Sequence, residues 1–332
     1  MWLANRVSHL ITVLIGTSLA VFAMMWATRG DPVQIMLADQ RATPAQVAAL
    51  RHEMGLDLSM PHRFALFVWH ALHGNFGRSF FHHRPVIDVI SERLPATIEL
   101  TLAAAILALL IGIPLGLYAG TRRVRLPDRI VSVISLIGVS MPGFWLGLLL
   151  MLVFSVTFHL LPVSGRMGGA NQPPIVTHLL VIDSLIAGRP DMALTALRHL
   201  ALPAITLALP MAAVLMQVTR TAAMEVMRAD YIVFAAAKGL PRRRILFLHV
   251  LKNALAPAVS VAAIEIGAML GGNMIVETIF SWPGVGRLVV EAIFDRNYPL
   301  VQAAVLLYAV LYALLNFVAD VLYRVLNPRV AA

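Results

Sequence analysis

Few side chains in this sequence can do acid–base, metal or nucleotide chemistry, and Glu265 is the first to weigh. It lies in AAIEIGAMLGGN, within an otherwise apolar run. A carboxylate inside a membrane span is costly and faces a pore, a partner or another polar group. At helical spacing Met269, Gly272 and Val276 share roughly its face, and Asn273 and Glu277 fall on the neighbouring one. Two readings stay open: a polar contact along a solute pathway that also takes in Met141, Pro142, Met269, Asn273 and Glu277, or a carboxyl held at a helix contact or near the interface. Among the histidines, His70 and His73 can share a helix face and His82 and His83 are adjacent. They lack accompanying ligands at convincing spacing, so no metal site is expected. Cysteine is absent, which excludes disulfides, zinc–thiolate sites and thiol catalysis. Lys238 and Lys252 are the only lysines and no GxxxxGK[ST] run occurs, so no nucleotide site is expected on this chain. GVGR at Gly284 lacks a phosphate-loop context. No nucleophile–base pair is apparent, so no catalytic residue is assigned.

The other conspicuous stretch is DYIVFAAAKGLPRRRILFLHVLKN, Asp230–Asn253. TAAMEVMRADYIVFAAAKGL carries strong helix formers and predicts one helix stopping at Gly239. Pro241 then opens a second, RRRILFLHVLKNAL. Ala235, Ala236 and Ala237 give the first helix a low-relief tip able to enter a partner's groove. Arg242, Arg243 and Arg244 can meet lipid phosphates or acidic groups on a partner. A membrane-surface elbow without a partner fits the residues equally well.

The elements that position these residues follow from composition. The chain has 332 residues, 59% hydrophobic and only 13% charged, with a mean hydropathy of +0.81. That much apolar side chain points to a polytopic, all-helical membrane protein. A helix needs about 20 apolar residues to cross the hydrocarbon. The candidates are Leu10–Ala27, Leu100–Ala119, Ile130–Phe158, Leu200–Val218, Pro257–Val276 and Leu300–Val321. The third should break at Met141-Pro142-Gly143. Ile175–Ala187 is short and carries His178 and Asp183, so it should lie at an interface or outside the membrane. Net charge of +9 fits basic loops against anionic lipid rather than a nucleic-acid surface. The loops around Arg122, Arg123, Arg125 and Arg129, and from Arg220 to Lys252, are rich in Arg and Lys, which places them and both termini in the cytoplasm.

This divides the chain into a cytoplasmic N-terminus and first span (1–28), an external segment (29–95), and a five-helix core (96–332). The core carries a cytoplasmic loop at 219–256 and external loops at 159–199 and 277–299. In the external segment, Thr43, Pro44 and Gln46 spell a capped helix start and Gly55 a stop. FALFVWHALHGNFGRSFF looks amphipathic and interfacial. Gly112, Gly116 and Gly120, and also Gly267 and Gly271, stand at four-residue spacing, which lets helix backbones approach, within this chain or with another.

The Asp230–Asn253 stretch resembles the cytoplasmic EAA loop of ABC-importer permeases, in the peptide/nickel branch. Asp230, Tyr231, Ile232, Ala235, Ala237, Lys238, Gly239, Leu240, Arg244, Ile245, His249, Leu251, Lys252, Asn253, Ala254 and Pro257 match that branch's pattern. Val233, Phe234 and Ala236 depart from it, standing where Arg, Thr and Arg are usual. Other landmarks recur in order along nearly the whole chain: Gly30-Asp31-Pro32, Gly55-Leu56-Asp57, GNFGRS, LPATIEL, SMPGFW, LPVSGR, HLALPA, ETIFSWPGVGR and DVLYRVLNPR. GNFG trades the commoner acid of this landmark for Asn75. The chain is similar in particular to the first permease subunit of dipeptide transport systems. The resemblance implies a six-span permease of type I architecture in a bacterial inner membrane. It implies a second permease, two cytoplasmic ATPases that bind ATP and magnesium, and an external binding protein. The coupling residues it implies are Asp230, Tyr231, Ala235, Ala236, Ala237, Lys238, Gly239, Leu240, Arg242, Arg243 and Arg244. Dipeptides or short peptides are the implied cargo, with nickel chelates, glutathione and haem as alternatives within the branch. An ion-coupled secondary carrier would need a second repeat or an internally complete site, and neither is apparent.

Overall fold

The computed structural model describes residues 2–27, 33, 43–53, 57–121, 135, 138, 140–167 and 173–326. These are helical with no strand among the described residues, and the chain divides into two compact units. The first comprises Met1–Leu94 and Leu288–Ala313. It contains α1 (Trp2–Ala27), α2 (Pro44–Glu53) and α3 (Met60–Leu72). The expected cap on α2 is present and reciprocal. The Thr43 N–H donates to Gln46 Oε1 at 2.8 Å, and the Gln46 N–H donates to Thr43 Oγ1 at 3.4 Å. The expected stop at Gly55 lies outside the described residues. α3 sets Phe64 and Phe67 against Phe22 of α1, at 5.4 and 6.2 Å between ring centroids. Beyond it, Asn297 Nδ2 donates to Ser79 Oγ at 2.6 Å and ties down the GNFGRS turn.

The second unit comprises Pro95–Arg287 and Leu314–Ala332. Its frame is α4 (Val86–Thr121), which begins in the first unit, with α5 (Gly143–Leu150), α6 (Leu180–Ile186) and α7 (Pro190–Met227). Next come α8 (Asp230–Ala237), a single turn α9 (Arg242–Arg244) and α10 (Lys252–Ile279). The last described helices, α11 (Val285–Phe294) and α12 (Tyr298–Leu326), are divided between the two units. Two stretches are wound in wide π-type turns: Met151–Thr157, which continues α5, and Ile245–Leu251, which joins α9 to α10.

Among the described residues, four helices are long and apolar enough to cross a membrane: Val86–Thr121, Pro190–Met227, Arg242–Leu270 and Tyr298–Ala319. Two shorter apolar helices, Ile11–Ala23 and Gly143–Thr157, stand where the first and third spans are expected. Most of Ile130–Ser140 lies outside the described residues. The expected break is present, because Met141 and Pro142 leave the helix and α5 restarts at Gly143. α6 has seven residues, about 10 Å of helix, too short to span, as expected of Ile175–Ala187.

The sequence predicts one helix through Gly239, but the chain bends at Arg228 and Ala229, where Ala229 is extended. The bend lets α8 fold back and bury Ile232 and Ala235 in a cluster with Leu117, Ala222, Ala223, Ile245, Val250 and Ala254. The helix predicted from Pro241 is likewise interrupted by the π-type turn.

The glycine spacing in α4 is a seam within this chain. α4 and α7 run parallel, and Gly112, Gly116 and Gly120 lie on the backbone of Ala212, Met216 and Arg220. A Cβ on each glycine would come within 2.8, 2.5 and 2.5 Å of the respective carbonyl oxygens. Gly267 is buried as well. Between lipid-embedded helices such close approach supplies the attraction that water supplies to soluble cores.

Gly116→Val is therefore expected to push the two helices apart and to cost about 1–3 kcal/mol. A Cβ at Gly143 meets nothing within 4 Å, so Gly143→Ala should leave stability unchanged. Thermal unfolding in detergent checks both, and equal melting temperatures would disprove the seam.

Candidate functional site

The candidates for ATPase coupling gather on α8 and the turn after it. Asp230 opens the helix, where a negative charge suits the N-terminal dipole. Tyr231 accepts a hydrogen bond from Asn253 Nδ2 at 3.3 Å and sets its ring 6.5 Å from that of His249. Ala235 is buried in the apolar cluster, so only Ala236 and Ala237 of the three alanines face outward. Val233 and Phe234 are 62% and 61% exposed. Lys238 lays its ammonium 4.5 Å from the centroid of the Phe234 ring. Gly239 has φ +80°, and the N–H groups of Gly239 and Leu240 reach the carbonyls of Ala236 and Ala235. That left-handed residue turns the chain, and glycine adopts it without strain. Leu240 packs against the apolar cluster. Arg242 donates to the carbonyl oxygen of Thr121 at 3.0 Å, covering a bare carbonyl at the end of α4. Arg243 and Arg244 are exposed.

The candidates for a solute pathway separate into two groups. Met141 and Pro142 line an open, mainly apolar cavity of ≈ 440 Å³ with Ser140, Phe144 and Trp145. Glu265 is half-buried and has no polar partner among the described residues. Met269, by contrast, is buried in the cluster formed by α4, α7 and α10. Asn273 and Glu277 are fully buried. Asn273 Nδ2 donates to Thr101 Oγ1 at 2.8 Å. Glu277 accepts from Thr97 Oγ1 at 2.7 Å and from the Arg287 N–H at 2.9 Å. The same Thr97 hydroxyl accepts the Val285 N–H at 2.8 Å. Gly284 and Gly286 press on the Glu277 carboxylate so closely that a Cβ on Gly284 would overlap it. ETIFSWPGVGR thus wraps its own glutamate, and the glycines are what allow it.

Beside this seam lies a cluster that sequence reasoning did not single out. Glu99, which is buried, and Arg166, which is partly buried, form an ion pair, with Arg166 Nε 3.1 Å from Glu99 Oε2. Arg166 also donates to the His178 carbonyl at 3.1 Å and stands over the Trp282 ring at 5.5 Å. The second carboxylate oxygen of Glu99 accepts the Val181 N–H at 3.0 Å. Trp282 Nε1 donates to the Ala96 carbonyl at 2.8 Å. One charge pair therefore joins α4, the LPVSGR turn, the start of α6 and the turn after α10. Nearby, Asp183 is buried and accepts both the N–H and the hydroxyl of Thr177 at 2.7 Å. Burial disfavours its charge, but these hydrogen bonds outweigh burial and hold the carboxyl below the usual range. The available signal was an acid in LPATIEL and a base in LPVSGR; nothing in either motif says that they meet. No group of three metal-ligating side chains gathers among the described residues.

Known proteins share this pattern along the whole chain. A family model described as "Binding-protein-dependent transport system inner membrane component" matches residues 112–332. Another, "Binding-prot-dependent transport system membrane comp, N-term", matches residues 1–101. The chain is 40% identical over 329 residues to the di/tripeptide transport system permease protein DppB of Pseudomonas aeruginosa (strain UCBPP-PA14), covering 99% of this chain and 98% of that one. It is 38% identical over 332 residues to the dipeptide transport system permease protein DppB of Escherichia coli (strain K12), again covering 99% and 98%. The glutathione transport system permease protein GsiC of Salmonella choleraesuis (strain SC-B67) is 34% identical over 329 residues, covering 99% and 98%. Among solved structures, the inward facing MetNI methionine ABC transporter matches with a TM-score of 0.54 and 17% identity, covering 72% of this chain and 96% of that chain. That last likeness concerns the fold.

Removing one member of the pair of Glu99 and Arg166 strands the other. Arg166→Met is expected to cost up to about 3–5 kcal/mol, and the double variant Glu99→Leu/Arg166→Met to recover much of it. Melting temperatures in detergent measure both. A single variant as stable as the parent would show that the clamp contributes nothing.

Proposed function

The chain belongs to the binding-protein-dependent transport system inner membrane component family, and from that premise we propose that it forms half of the pathway of an ATP-driven importer of dipeptides or short peptides. The observation that carries the substrate is the near-full-length likeness to permeases of di- and tripeptide transport. The glutathione permease supports a second reading, a glutathione-type tripeptide, with the same mechanism.

The partners are a second permease, two cytoplasmic ATPases and an external binding protein. Hydrolysis belongs to the ATPases, which bind ATP and magnesium. The chain lies in the inner membrane with both termini in the cytoplasm, a topology supported by the Arg-rich loops. Coupling runs through Asp230 to Arg244. Closure of the ATPase pair pushes on the outward side of α8. Its inward side, through Ile232 and Ala235, shares one apolar cluster with the ends of α4, α7 and α10. The push therefore reaches three spans together and tilts them, opening the pathway outward to the binding protein and then inward after hydrolysis. Met141, Pro142 and Glu265 have free surface to offer a solute. Met269, Asn273 and Glu277 serve by holding α10 against its neighbours.

Reconstitution tests this. The permease pair, ATPases and binding protein in liposomes should take up a labelled dipeptide only with ATP. Glutathione uptake in its place would favour the second reading. Gly239→Asp should release the ATPases while leaving membrane insertion intact. Asp tolerates the left-handed conformation better than most residues, with a strain of about 1–2 kcal/mol, so the loss reports a blocked surface. Uptake without any nucleotide-hydrolysing partner would refute the function.

A further inference from the structure

We propose that Val233 and Phe234, with Lys238 braced over the Phe234 ring, form an apolar plug that selects ATPase partners whose groove offers a matching apolar pocket and an acidic rim. This rests on the coupling reading above and adds the chemistry of the partner's surface.

The helix DYIVFAAA has two apolar sides. Ile232 and Ala235 face the permease's own cluster, which leaves Val233, Phe234, Ala236 and Ala237 as a contiguous outward face. From Val218, where the apolar span ends, α7 continues nine residues to Met227. At the helical rise this adds about 13 Å. The headgroup layer is only about 5–7 Å deep on each side. On that expected span the start of α8 lies past the headgroup layer, before the helix folds back onto Leu117, and we assign its open face to a protein.

The shape and charge of the face specify the rest. Phe234 is 61% exposed and stands against the Lys238 ammonium at 4.5 Å, a cation–π contact that limits the ring's freedom before docking. A preorganised aromatic side chain that enters a pocket is the usual energetic centre of an interface. Around it Lys238, Arg243 and Arg244 are exposed, and Arg242 points back to the Thr121 carbonyl. Asp230 is the only acid in the 230–244 stretch. The complementary rim is therefore acidic. In the branch that this segment resembles, Arg and Thr are usual at positions 233 and 234. A partner groove shaped for those polar side chains would have to desolvate them, whereas here the same depth receives Val and Phe.

The full chain, co-expressed with its second permease and ATPases, tests the idea by co-purification. V233R/F234T should reduce ATPase retention about tenfold, as expected for loss of an aromatic anchor. F234L should retain most of it. Gly239→Asp serves as the reference. If Gly239→Asp releases the ATPases while V233R/F234T keeps them, the plug is overturned and the coupling reading stands. If neither variant releases them, both fall. Since the chain has no native cysteine, F234C can carry a single bimane label. Its emission should shift blue when ATPase is added and stay unquenched by brominated phosphatidylcholine. Quenching by the brominated lipid would assign the face to the bilayer and overturn the proposal.

Discussion

Everything mechanical in this chain depends on how closely α4 and α7 approach. Hydrocarbon gives two apolar helices no reason to prefer each other over lipid, so attraction must come from short-range packing. Gly112, Gly116 and Gly120 provide it by admitting the carbonyls of Ala212, Met216 and Arg220 to the space that side chains would fill. Leu117, between two of those glycines, belongs to the cluster that also buries Ile232 and Ala235 of α8. Arg242 then bonds the carbonyl of Thr121, one residue beyond Gly120. Seam, cluster and cap follow one another along the same end of α4. A displacement of α8, as the proposed coupling requires, would therefore act on α4 and α7 together.

The opposite end of α4 is built from different material. Thr97, Glu99 and Thr101 give it a row of polar groups, each answered: Glu277 and Val285 at Thr97, Arg166 and Val181 at Glu99, and Asn273 at Thr101. Buried polar groups add little net stability once their desolvation is counted, but they penalise any arrangement in which a partner is lost. An apolar seam tolerates sliding, whereas a charge pair tolerates few geometries. This difference suits the proposed coupling, in which α4 would receive a push at one end and hold a defined arrangement at the other.

Much of this was legible in the residues, and the limits have physical causes. The capping box at Thr43 and the break at Met141-Pro142-Gly143 are local, and local chemistry decides them. The glycine repeat announced close approach but not its partner, because small residues on one face look the same against any neighbour. Ala235, Ala236 and Ala237 are chemically identical, and only the bend at Arg228 and Ala229, which lets α8 fold back and bury Ile232, turns the first inward and leaves the others outside. The π-type turn at Ile245–Leu251 has no sequence sign we can identify. Glu99 and Arg166 lie 67 residues apart, and their meeting is a property of the packed fold alone.

Glu265 and Glu277 show how much surroundings decide for chemically identical groups. They share α10, twelve residues and so about 18 Å apart along the axis. Glu277 is enclosed by Thr97, the Arg287 N–H and two glycines that have no side chain to interfere. Its hydrogen bonds are spent on the fold, and a solute has no access to it. Glu265 has no such enclosure and keeps part of its surface open within an apolar span. A carboxylate left that way in lipid needs a counterpart. In the proposed importer a second permease or a passing solute would supply it, unless the carboxyl lies near enough to the interface to reach water. On the proposed function a peptide's amino terminus would have the charge to do so, which makes Glu265, rather than the enclosed Glu277, the residue to test for cargo contact.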